Sequence, residues 1–231
     1  SAAGRLVAFV VSLYFIKDII KTNEKKAEII DYRGFSLPVL YVVAIIFMFF
    51  SLDVIIAKAV FSTSRGFSPD VVGMYAIASM LGKIIFLAVQ PISKAMFPIV
   101  SSSKKKTEGL FGNSLFMILI LVGVALLAFY FFPDLIVKLF SDKEIVETSS
   151  ILFLVGVAFA LQAVSNVILL YKLAGKIRNY IPLAIIIPIQ IILLTVFSSS
   201  LKSFSIALIV ASAIFLIGSI VLTKNTKNEE E

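Results

Sequence analysis

Charge is missing from long stretches of this chain, and the stretches recur. Residues 34–52, 109–133, 148–171, 179–201 and 203–223 carry no charged side chain. Each is close to or above the roughly 20 apolar residues that a helix needs to cross a bilayer. Residues 71–100 are equally apolar but are interrupted by Lys83, Gln90 and Lys94. A shorter run, 6–20, has Arg5, Lys17 and Asp18 near its ends. None of these runs alternates in polarity, and transmembrane strands need only about 9–11 residues, so helices are expected. The pattern predicts an all-α polytopic membrane bundle of about seven transmembrane helices.

Composition agrees. Of 231 residues, 60% are hydrophobic and 15% charged, against about 45–50% apolar and about 25% charged in soluble domains. A soluble enzyme, a disordered chain and a disulfide scaffold are set aside on that ground. The chain has no Cys and no His, which removes thiol nucleophiles, imidazole bases and zinc sites built on those residues.

The net charge of +7 reads as loop asymmetry rather than nucleic-acid binding. Short cytoplasmic loops collect Lys and Arg. The first, third and fifth loops and the tail hold twelve basic residues, the even loops four. That alternation supports seven spans, a cytoplasmic C-terminus and an outside start at Ser1. The expected location is the plasma membrane. An outside start without an initiator Met or a signal pattern predicts the C-terminal part of a longer protein, with the N-terminal half of that protein as its partner. The expected division is a last helix of a truncated bundle at 1–20, a cytoplasmic linker at 21–34, a six-helix bundle at 35–223 and a tail at 224–231.

Polar side chains inside spans are costly, so each is a candidate for function. Ser79, Lys83, Gln90 and Lys94 fall on one face of a helix. Lys83 lies near mid-bilayer, and the expectation is that this stripe lines a water-filled cavity in which Lys83 meets an anion. Pro91 in the stripe should kink the helix. Asp53 and Lys58, five apart, lie on different faces. Depth counting sets Asp53 nearer the outside than Lys83, so no salt bridge between them is expected. Gln162 and Asn166, four apart, read as interhelical hydrogen-bonding groups. The small residues Gly156, Ala160, Ala163, Ala207, Ala211 and Gly218 read as close-packing positions. No catalytic constellation, phosphate loop, cofactor or metal site emerges, so an enzyme is not expected. The run Ser-Ser-Ser-Lys-Lys-Lys at 101–106 suits anionic lipid headgroups.

Two stretches carry a resemblance. One is Ser51-Leu-Asp-Val-Ile-Ile-Ala-Lys58, followed by Val72-Gly-Met-Tyr-Ala-Ile-Ala-Ser-Met-Leu-Gly-Lys83 and Pro91-Ile-Ser-Lys-Ala-Met-Phe-Pro-Ile-Val-Ser101. The other is Phe132-Pro-Asp-Leu-Ile-Val-Lys-Leu-Phe140. A Leu-Asp pair ending one helix, a Gly-x-Tyr helix and a closing Phe-Pro resemble the polysaccharide biosynthesis flippases of the multidrug/oligosaccharidyl-lipid/polysaccharide (MOP) exporter superfamily. The resemblance implies two related bundles working by alternating access, with the spans at 35–61 and 71–100 lining a central cavity. It implies a lipid-linked oligosaccharide as cargo, with Lys83 attracting its diphosphate. Lys58 would act near the outer exit, Tyr75, Ser79 and Gln90 would contact sugar, and Asp53 would carry a coupling ion. The alternatives are a cation-coupled multidrug antiporter of the same superfamily and a membrane-embedded glycosyltransferase.

Overall fold

The structure is a computed structural model that describes residues 32–63, 69–102, 108–141, 146–174 and 181–224. Among the described residues every regular element is helical. In chain order they are α1 (Tyr32–Thr63), α2 (Pro69–Ser102), α3 (Glu108–Phe131), α4 (Pro133–Phe140) and α5 (Val146–Ala174). A 3-10 turn (Ile181–Ile185) then leads into α6 (Ile186–Val196) and α7 (Leu201–Lys224). Residues 36 onward form one unit. The expected helix at 6–20 and most of the linker lie outside the described residues.

Among the described residues, five helices are long and apolar enough to cross a membrane: Leu37–Ser62, Asp70–Ser102, Gly109–Phe131, Val146–Ala174 and Leu201–Val221. With these, the chain is a helical membrane-embedded protein. A further apolar helix, Ile181–Val196, is shorter than the others. Its composition explains its form. Pro182 and Pro188 remove two backbone donors, and the segment begins as a 3-10 turn before it settles into α6. It ends where the Phe197 amide donates to the Leu193 carbonyl at 3.0 Å. Ser200 then caps α7, its hydroxyl accepting from the Ser203 amide at 3.1 Å, as an N-cap serine does. The region expected as the fourth loop contains α4. Pro133 opens that helix, with Asp134 in its first turn and Lys138 in its last, which suits both ends of the helix dipole.

The bundle is built around α5. Of its spanning window 72% is buried, against 22–44% in the other four. It packs on α2, α3, α4 and α7. Side-chain pairs fix the directions. Thr148 reaches the Met74 carbonyl and Phe159 lies on Gly82, so α2 and α5 run parallel. Phe111 stacks on Tyr171, and Tyr130 meets Phe153, so α3 runs against α5. Phe61 meets Phe204 and Phe49 meets Phe215, so α1 runs against α7.

Small residues decide how closely these helices approach, as expected from their positions. A Cβ on Gly156 would stand 2.7 Å from the Phe129 ring, and one on Gly218 would stand 3.0 Å from Ile186. Ala160, Ala163, Ala207 and Ala211 are all buried. The sequence reading missed a serine series on α7. Ser205, Ser212 and Ser219, seven residues apart, are each fully buried. Ser205 and Ser219 satisfy their hydroxyls on their own helix, on the Leu201 and Leu216 carbonyls. Ser212 instead accepts a bond from α5.

A buried carboxylate at the meeting of α1, α2 and α5

Asp53 is the most enclosed charged residue in the described bundle, with 0% exposure. Three donors from one face of α2 converge on it. Tyr75, Ser79 and Lys83 are spaced four apart, so they stack along one helix face. The Tyr75 hydroxyl donates to Oδ2 at 3.2 Å, the Ser79 hydroxyl to the same oxygen at 2.5 Å, and the Lys83 ammonium to Oδ1 at 2.9 Å. Asp53 and Lys83 therefore form a salt bridge, with the two side chains 1% and 17% exposed.

This corrects the expectation that the pair does not meet. Counted from Asp70, Lys83 sits roughly 20 Å along its span, and counted from Ser62, Asp53 sits roughly 14 Å along its own, at about 1.5 Å per residue. Helical side chains lean toward the N-terminus of their helix, over about one 5.4 Å turn. The lysine stem leans in the direction that closes the gap. Backbone depth alone misses this.

The ammonium is also covered. It lies 5.0 Å from the centre of the Phe50 ring and 5.5 Å from that of Phe159. The Phe50 ring packs on both Phe86 and Phe159. Each cation–π contact is worth about 0.5–2 kcal/mol, whereas leaving one partner of a buried ion pair alone costs about 3–5 kcal/mol. The carboxylate therefore sets where the ammonium goes, and the rings enclose it. Gly82 permits that enclosure: a Cβ there would stand 2.6 Å from Phe159 and 3.0 Å from Val155. Sequence reasoning missed Phe50, Phe159 and Gly82. The available signal was a glycine beside a lysine in mid-helix, where glycine costs about 1 kcal/mol and so implies a close approach.

The remaining expected residues lie apart from this cluster. Gln90 is half-buried two turns further along α2. Lys58 is exposed on the other face of α1, where its carbonyl accepts the Ser62 hydroxyl. Lys94 is also exposed. At Lys83 itself the structure shows enclosure by Asp53 and the two rings. Of the two cavities described, one of about 380 Å³ lies between α6 and α7 around Leu193, Phe197 and Val210. The other, of about 320 Å³, lies at Val71, Glu147 and Lys202.

A second polar contact joins α5 to α7. The Gln162 amide donates to the Ser212 hydroxyl at 3.1 Å, the interhelical role expected for it. The ring pairs that fix α1 on α7 set Ala211 and Ser212 level with Asp53. The Gln190 amide donates to the Phe49 carbonyl at 3.0 Å, one turn from Asp53, and so ties α6 to α1. The Asn166 amide nitrogen is buried without an acceptor. These two neighbours should respond oppositely to an apolar substitution. Gln162→Leu is expected to cost about 0.5–1.5 kcal/mol, while Asn166→Leu, which removes an unsatisfied donor, should be neutral or stabilising. Thermal unfolding of the two variants in detergent compares them directly.

Every expected substrate contact on α2 except Gln90 thus donates to Asp53. The arrangement joins two helices through charge, holds a cation between rings, and can release that cation only by breaking a salt bridge. No protein-family model, curated protein or solved structure matches this chain.

Proposed function

We propose that the chain is part of a membrane transporter that moves a lipid-diphosphate-linked oligosaccharide across the cell membrane by alternating access. The observation that carries this reading is the Asp53–Lys83 pair, buried within two membrane-crossing helices. Ionisable groups at such depth mark substrate or ion paths. A pair kept for packing alone gains little over apolar residues of the same volume. The quoted stretches around Asp53 and Lys83, and their resemblance to MOP-superfamily flippases, supply the cargo class.

On this reading the closed salt bridge is a resting arrangement. A diphosphate takes Lys83 only when the lysine leaves Asp53, so cargo binding and opening of the α1–α2 contact are one event. Tyr75 and Ser79 hold the carboxylate in place while Lys83 moves, and become available to cargo hydroxyls only if Asp53 moves too. The test is complementation of a cell lacking its own oligosaccharide flippase, scored by surface glycan, with the full-length protein that contains this chain. Lys83→Ala is expected to lower glycan export at least tenfold at equal membrane abundance. Wild-type export by that variant would remove the diphosphate role.

A further inference from the structure

The surroundings of Asp53 have the chemistry of a cation-binding cage. One carboxylate oxygen, Oδ2, accepts from both Tyr75 and Ser79, so it is held in place and its lone pairs are occupied. The other, Oδ1, faces a position 2.9 Å away that is flanked by the Phe50 and Phe159 rings. A carboxylate beside aromatic faces suits an ammonium, which is bound by one strong ionic hydrogen bond and by ring faces. It does not suit a small hard cation such as sodium, which needs several oxygen ligands to replace its water. Among the charged groups described, Asp53 has Lys83 alone as its counter-ion. α1 brings Lys58 no closer than its exposed opposite face. α5 presents Phe159, and α7 presents Ala211 and Ser212 at this level, all uncharged.

Lys83 fills this cage as a ligand tethered to the protein. Its departure would leave Asp53 fully buried and uncompensated, which is strongly unfavourable. An anion that attracts Lys83 therefore takes it readily only when a cation, or a proton on the carboxylate, replaces the ammonium. We infer that the pocket at Oδ1 of Asp53, between Phe50 and Phe159, is a binding site for a primary ammonium group, occupied by Lys83 at rest and by a free or cargo-borne ammonium whenever Lys83 is withdrawn. The favoured cargo then carries both signs, an anionic group for Lys83 and an amine for Asp53, and the two charges bind cooperatively. The cage assignment stands on the geometry, and the two-signed cargo rests on the transporter reading.

The experiment vacates the cage and refills it. Lys83→Ala removes the tethered ammonium, and n-propylammonium supplies the carbons and nitrogen that alanine lacks. Unfolding of the purified chain in detergent is followed with n-propylammonium chloride, with sodium chloride at equal ionic strength, and with n-propanol. The Lys83→Ala midpoint is expected to rise saturably with n-propylammonium by about 3 °C or more. Sodium chloride and n-propanol should not reproduce the rise, and an Asp53→Asn/Lys83→Ala chain should not show it. No rise, an equal rise with sodium or propanol, or an equal rise in the double variant overturns the assignment. Where Lys83→Ala does not fold, Lys83→Met keeps the apolar stem, and ammonium chloride is compared with sodium chloride. An ammonium-specific rise there supports the cage, and its absence overturns it.

Discussion

Asp53→Ala is expected to destabilise the bundle by about 3 kcal/mol, more than removing both members of the pair together. The single substitution leaves the Lys83 ammonium between two phenyl rings with no anion. Uncompensated buried charges cost about 3–5 kcal/mol, and the 17% exposure of the lysine side chain puts this case at the low end. Lys83→Met should cost a similar amount: Asp53 would keep its hydrogen bonds from Tyr75 and Ser79 but would be left fully buried without its counter-ion. Asp53→Ala/Lys83→Met should recover much of the loss, because a buried pair replaced by apolar side chains is often neutral or better. Thermal unfolding of the three variants in one detergent gives the order directly. A double variant no more stable than Asp53→Ala would mean that the pair does not carry the coupling assigned to it. On the proposed transporter reading the same double variant separates stability from function: it should fold and still fail to export glycan.

The parts of this architecture that were legible in the sequence were those set by solvent. Water and lipid impose the long uncharged runs, so the five long helices are readable from where charge is absent. Gln162 was legible as an interhelical donor because an amide inside a span has few other uses. What was not legible depends on which helices become neighbours. Asp53 and Lys83 are thirty residues apart, and nothing in either helix states that they face one another. Phe159 is one apolar residue among many on α5, and only packing brings it over Lys83. Depth counting failed for a physical reason. It located backbones, whereas a lysine acts through an ammonium displaced by about one turn. The short α6 was hidden differently: its apolar run is long enough to span, but Pro182 and Pro188 divide it and the chain turns at Phe197.

Gly82→Ala is the second large effect expected, and Gly73→Ala on the same helix is its control. Both glycines lie inside α2, where alanine is the better helix former by about 1 kcal/mol. At Gly73 an added Cβ meets nothing within 4 Å, so the substitution should be neutral or slightly stabilising. At Gly82 the Cβ would stand 2.6 Å from the Phe159 ring. That ring has 0% exposure and packs edge-on against Phe50, so it cannot swing aside without moving its neighbours. Overpacking of this kind costs about 1–3 kcal/mol, which outweighs the gain in helix propensity. Displacing Phe159 also uncovers the Lys83 ammonium from one side. On the proposed transporter reading, Gly82→Ala should therefore impair glycan export beyond what its stability loss explains. Gly82→Ala/Phe159→Leu, which trims the ring that the new methyl strikes, should regain stability without regaining the cation–π contact. Thermal unfolding and export measured on Gly73→Ala, Gly82→Ala and the double variant test this. Equal stability of the two single variants would show that the α2–α5 contact is loose enough to take a methyl group, and Phe159 would then be no fixed wall of the cage.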